Sequence, residues 1–174
     1  MHAIRKVVIQ NFKKFKSLTL DFECGKSVLI GNNEAGKSSI LLALDLALGG
    51  SRNRIEALGA ETLLNQDSVT TFLAGEKSLE KLPELIVDVF LEEGDNESLY
   101  GTNNAHQRQT DGVRMILAVM AEYGEAVQAI LADDQPNFPF EYYAVRFETF
   151  AGRPYAAFKD RKSTRLNSSH PLDL

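Results

Sequence analysis

Eight residues constrain this chain more than any others: Gly31-Asn32-Asn33-Glu34-Ala35-Gly36-Lys37-Ser38. They match G-x-x-x-x-G-K-[ST] at every fixed position. In a chain of 174 residues, a chance match arises roughly once in a few hundred sequences. The pattern requires a strand before it and a helix after it. Ser27–Ile30 (SVLI) reads as a short buried strand. Lys37–Leu48 reads as a helix that is apolar over most of its circumference, which predicts burial. Gly49-Gly50 ends it, because glycine enters the left-handed cap conformation without steric cost.

The chemistry of such a loop follows from its backbone. A triphosphate is a dense polyanion that gives up strong hydration on binding. A nest of main-chain N–H groups replaces that water, and the helix adds its unpaired donors and the positive end of its dipole. Gly31 and Gly36 allow the backbone angles and the close approach. Gly31, Asn32, Asn33, Glu34, Ala35, Gly36, Lys37, Ser38 and Ser39 are therefore the candidates to bind ATP. Lys37 is the candidate catalytic residue, reaching the β- and γ-phosphates. Ser38 is the candidate metal ligand, its hydroxyl facing Mg²⁺, a hard cation that takes oxygen donors. Glu34 belongs at the outer rim, its carboxylate turned from the phosphates.

Around this motif the chain reads as α/β, a mixed sheet with an antiparallel portion. Ile4–Gln10 and Ser17–Glu23 form an antiparallel pair about the turn Asn11–Lys16. In the second, Leu18, Leu20 and Phe22 alternate with Thr19, Asp21 and Glu23. Short helices are expected over Ile55–Leu64 and Ser68–Leu73, and a further helix over Glu122–Ala132. Glu84–Glu93, Val113–Met120 and Phe140–Phe150 read as strands, the first with Leu85, Val87, Val89 and Leu91 on one face. The polar, turn-rich stretch Gly94–Asp111 is the best candidate for a mobile loop.

The layout of strand, Asn11-Phe12-Lys13, a second strand, then G-x-N-x-x-G-K-S-S resembles the N-terminal lobe of ABC-type ATPase heads of the SMC, RecF and double-strand-break-repair class. Three segments resemble one branch more closely, the OLD (overcoming lysogenization defect) family of ATP-dependent endonucleases and related AAA-type ATPases. They are Asn33–Ser38, Phe72-Leu73 ahead of Leu82–Val87, and Pro139–Tyr143. The resemblance spans about residues 1–158 and implies a P-loop NTPase of the ABC/SMC type. It further implies ATP and Mg²⁺ as cofactors, heads that pair as a homodimer, and DNA as a partner of the full-length protein. In that group the turn at Asn11–Lys14 lies near the nucleotide, which adds Phe12 and Lys13 as candidate contacts; the plain alternative for both is turn and surface packing. The Walker B strand, signature motif, switch histidine and TOPRIM nuclease domain of the family lie downstream. Leu85-Ile86-Val87-Asp88 is not taken for Walker B, because the alternation continues past Asp88 through Leu91, as in an ordinary antiparallel strand.

Asp160–His170 has almost no apolar content and matches, residue for residue, an in-frame translation of a common sequencing adaptor. The expected organisation is thus residues 1–159 as the N-terminal part of a truncated ATPase domain and residues 160–174 as an artefactual or disordered tail. Net charge is −5, but the first 20 residues hold Arg5, Lys6, Lys13, Lys14 and Lys16 and no acid. No apolar run nears the roughly 20 residues that span a bilayer, and Cys24 has no internal partner. A cytoplasmic protein is the default expectation. No zinc-ligand spacing or G-x-S-x-G elbow occurs, and the aromatic run Phe138–Phe150 is better suited to sheet packing than to stacking bases. Two functions follow as expectations. One is an ATPase that couples ATP binding and hydrolysis to DNA processing, with the endonuclease in the full-length parent and this fragment alone inactive. The other is a nucleotide-binding regulatory or interaction module without hydrolysis. A small P-loop kinase or GTPase is the weaker third, because two strand-like segments precede Val28.

Overall fold

The computed structural model describes residues 3–23, 27, 29–31, 36–133 and 137–156. Among them lie six strands: β1 (Ile4–Phe12), β2 (Phe15–Asp21), β3 (Leu85–Leu91), β4 (Tyr100–Gly101), β5 (Thr110–Val119) and β6 (Tyr143–Thr149). The order is β2-β1-β3-β5-β4, and β6 also pairs with β5. Every pairing is antiparallel. The helices are α1 (Lys37–Gly49), α2 (Arg52–Leu58), α3 (Ala60–Leu63), α4 (Gln66–Ala74) and α5 (Gly124–Leu131).

Alternation in the strands builds one apolar face. Register sets Val7 and Ile9 of β1 beside Val89 and Val87 of β3. It sets Val87 and Leu85 beside Met115 and Leu117 of β5, and these beside Phe147 and Val145 of β6. Side chains two apart in a strand share a face, so all of them enter one core, which α1 joins through Ile40, Ala43, Leu44, Leu46 and Ala47. The helix ends where expected, at Gly50 with φ 59°, whose N–H bonds Leu46 O at 3.3 Å.

Three expectations need correction. The stretch 27–30 is not a strand at its described positions: Ser27, Leu29 and Ile30 lie outside any strand, and Ile30 is 91% exposed. A short apolar run becomes a strand only where a neighbouring backbone completes its hydrogen-bond ladder, and none of the described strands borders it. The described sheet is accordingly antiparallel throughout rather than mixed. Second, α1 is covered on one side, leaving Leu41 and Leu48 exposed; the Asp45 beside them pairs with Arg54 at 2.5 Å. Third, the segment between β3 and β5 is pinned, as polar turns can be when side chains satisfy the backbone. Asp111 accepts from Gly94 N at 2.8 Å, and Asn104, buried, donates to Arg108 O at 2.7 Å.

The opposite face of the sheet holds a smaller cluster of Val8, Phe90 and Phe150 and a buried ion pair, Asp88 with Arg114. The aromatic run packs as expected of sheet residues: Phe138 lies edge-on to Phe72 at 5.8 Å and stacks on Tyr143 at 5.5 Å. The strand there begins late, at Tyr143, because Phe140–Tyr142 form a 3-10 turn closed by Tyr142 N to Pro139 O at 3.1 Å. The tail 160–174 lies outside the described residues.

Candidate functional site

The site is organised by one glycine. Gly36 has φ 85° and ψ 16°, the left-handed region, and it is buried. A residue with a β-carbon is strained at those angles. Space excludes one as well: a Cβ on Gly36 would lie 2.4 Å from Phe15 Cζ and 2.8 Å from Lys14 Cδ. Glycine is required here twice over, once by the chain's direction and once by the β1–β2 turn resting on it.

Gly36 also starts α1, its carbonyl accepting from Ile40 N at 3.0 Å. Among the described residues no side chain caps this helix start, and no acidic residue stands in the first turn. The leading N–H donors and the positive end of the dipole thus keep their attraction for an anion. From the first turn the Lys37 ammonium reaches back and donates to the Gly31 carbonyl. The lysine that carries the charge therefore reaches the first residue of the motif. Ser38 is exposed and Ser39 partly buried, so the hydroxyl expected to face a metal is accessible. Asn32, Asn33, Glu34 and Ala35 lie outside the described residues. The described residues fit a bound triphosphate: a left-handed glycine, a helix start that none of them caps, an ammonium reaching back to Gly31 and an exposed serine.

The structure separates the two candidates in the turn. Phe12 is 0% exposed within the main core. Its ring is a packing group, the plain alternative weighed above. Lys13 is partly buried, with φ 47°, and its N–H donates to Leu63 O at 2.7 Å. The turn residues that reach Gly36 are instead Lys14 and Phe15. The sequence carries no local signal for that contact.

Two of the five basic residues at the chain start are neutralised locally. Arg5 pairs with Glu92, and Lys6 pairs with Asp21 at 3.1 Å. Asp88, set aside above as a Walker B candidate, is in the middle of an antiparallel strand and fully buried. Arg114 holds it through Nε at 2.6 Å and Nη2 at 2.8 Å, and Ala105 N–H adds a third bond at 2.7 Å. The sequence reading missed this pairing, although Asp88 and Arg114 stand directly opposite in register.

The chain is 42% identical over 57 residues to the Septu protein PtuA of Bacillus mycoides, 29% of this chain and 8% of that protein. It is 41% identical over 49 residues to the chromosome partition protein Smc of Methanocaldococcus jannaschii, 28% of this chain and 4% of that protein. It is 40% identical over 42 residues to the DNA replication and repair protein RecF of Mannheimia succiniciproducens, 24% of this chain and 12% of that protein. The matched stretches are small parts of each relative. A solved SMC ATPase superposes with a TM-score of 0.42 at 19% identity, over 97% of this chain and 81% of that one. The model of the AAA domain matches residues 6–141, the greater part of the sequence, and the chain belongs to the AAA domain family.

Proposed function

We propose that this chain binds ATP with Mg²⁺ at Gly31–Ser39 and is the nucleotide-binding part of an SMC- and RecF-like ATPase that couples ATP binding and hydrolysis to DNA processing. The observation that carries the reading is Lys37 bonded back to Gly31, with a buried left-handed Gly36 at a helix start that no described side chain caps. On ATP binding the ammonium would exchange the Gly31 carbonyl for phosphate oxygens, a stronger charge-assisted bond. Ser38 would hold Mg²⁺, which supplies charge neutralisation at the phosphates. Pairing of two heads around ATP, DNA as the partner, and an endonuclease of the OLD type in the parent extend the same reading. The likeness to Smc and RecF supports the DNA part, and the segments quoted above support the OLD branch.

A second reading is favoured by Asp88. The carboxylate nearest in sequence to a Walker B pattern is buried and bound by Arg114, so it serves the fold and not a water. By itself this chain then binds nucleotide without hydrolysis, and a base from elsewhere in the parent would complete the ATPase.

Binding of a fluorescent ATP analogue with Mg²⁺ tests both. The chain is expected to bind, and Lys37→Ala to bind at least about tenfold more weakly, the loss of a charge-assisted hydrogen bond. Equal affinity in the two proteins refutes the assignment of this loop. Turnover by the isolated chain would refute the second reading.

A further inference from the structure

The turn that rests on Gly36 is strained and held in place by side chains that the nucleotide site does not contain. Asn11 has φ 51° and Lys13 φ 47°, angles that cost an L-residue free energy and persist only where surroundings impose them. The surroundings are the junction of α3 and α4. Lys13 N–H donates to Leu63 O at 2.7 Å, and Asn65 N–H donates to Asn11 O at 2.9 Å. Asn65 is 2% exposed and uses both ends of its amide. Its Nδ2 donates to Lys13 O at 2.6 Å, and its Oδ1 accepts from Ser68 N at 2.9 Å, capping α4. The Ser68 hydroxyl lies 2.8 Å from Asn11 Oδ1 and 2.9 Å from Asn65 Oδ1, sharing its one hydrogen. Asn11 Nδ2 donates to Glu84 O at 2.8 Å.

Next along the chain, Lys14 and Phe15 occupy the space above Gly36. The clamp therefore contacts Asn11 and Lys13, and Gly36 lies against Lys14 and Phe15 of the same turn. We propose that Asn65 and Ser68 are positioning residues for the nucleotide site, acting through the β1–β2 turn. They hold the left-handed backbone of Asn11 and Lys13, which seats Phe15 on Gly36 and thereby holds the glycine in its own left-handed state. This inference rests on the reading of Gly31–Ser39 as a nucleotide site. Its mechanical half, clamp to turn to Gly36, stands apart from that reading.

Asn65→Ser separates the clamp from the cap. A serine still caps α4 but is too short to donate to Lys13 O. Ser68→Ala removes the shared hydroxyl. Val69→Ala, in the same helix, removes buried apolar contacts only (Val69 is 5% exposed) and serves as the stability control. Two readouts are taken on the whole chain: affinity for the fluorescent ATP analogue, and amide hydrogen exchange in the peptide covering residues 36–40. Asn65→Ser and Ser68→Ala are expected to weaken binding about three- to tenfold, the full worth of one hydrogen bond transmitted to the site. They are also expected to speed exchange at residues 36–40 by a similar factor. Val69→Ala is expected to move neither while lowering the melting temperature. Wild-type exchange in Asn65→Ser overturns the proposal, as does an equal effect from Val69→Ala. If the wild type binds no nucleotide while exchange responds as expected, the functional reading falls and the mechanical coupling stands.

Discussion

Arg114→Met tests what secures the outer face of the sheet. Asp88 is at 0% exposure and the Arg114 side chain at 14%. The carboxylate accepts three hydrogen bonds, two of them from the guanidinium. The guanidinium also reaches Asn103 Oδ1 at 3.3 Å through Nη1, so one cation ties β3, β5 and the loop between β4 and β5. The hydrogen bond to Asp88 raises the pKa of Arg114 above that of an ordinary arginine, against the opposing pull of burial. An exposed pair of this kind would contribute about 0–1 kcal/mol. Burial changes the magnitude. Methionine keeps the apolar stem but leaves a buried carboxylate with one hydrogen bond and no counter-charge, which costs about 3–5 kcal/mol. With a urea dependence of about 2 kcal/mol per molar, the unfolding midpoint should fall by about 1.5–2.5 M. In Asp88→Leu with Arg114→Met the charge is gone too, and apolar pairs replace buried ion pairs at little cost. Most of the loss should return, short of about 1–3 kcal/mol for the orphaned Ala105 N–H. Equilibrium urea unfolding followed by circular dichroism measures all three proteins. A single-variant loss below about 1 kcal/mol, or a double variant no more stable than the single, refutes the argument.

Two further outcomes are expected. Gly36→Ala places a β-carbon at a left-handed position and 2.4 Å from Phe15 Cζ; the dihedral alone costs about 1–2 kcal/mol, and binding of the ATP analogue should disappear while the chain stays folded. Wild-type affinity in that variant would show that the turn yields freely. Burial, with the Glu84 charge a smaller cause, pushes the Tyr143 hydroxyl well above its ordinary 10.0, and burial does the same for Tyr155. The folded state thus favours both neutral phenols. Their contribution is complete below about pH 10, the unfolded value, and is lost as pH rises through the folded values. Urea midpoints of wild type should fall steeply above about pH 10, and Tyr143→Phe with Tyr155→Phe should flatten that fall; parallel profiles would contradict it.

Much of the site and of the core was legible in the residues. The spacing of Gly31, Gly36, Lys37 and Ser38 identified the loop, and the loop's departure into α1 follows from glycine at 36. The period of two at Leu85, Val87, Val89 and Leu91 identified the buried face of β3. What failed were judgements that need a partner. Ser27–Ile30 has strand composition, yet pairing is a property of two segments. Phe12 carries an aromatic ring suited to a base or a core, and its burial there depends on residues from other elements.

By its sequence alone this chain determined a glycine-bounded loop ahead of α1, the alternation that makes a one-sided sheet, and the turn chemistry that ends α1. These are local matters, set by backbone angles and by the direction in which successive side chains point. Tertiary structure alone decided that Phe15 rests on Gly36, that Asp88 is neutralised by Arg114 across a ladder, and that Asn65 grips Lys13 from another element. Each joins residues tens of positions apart, and their contact depends on register and on how helices pack against the sheet. No local preference of either partner encodes those distances.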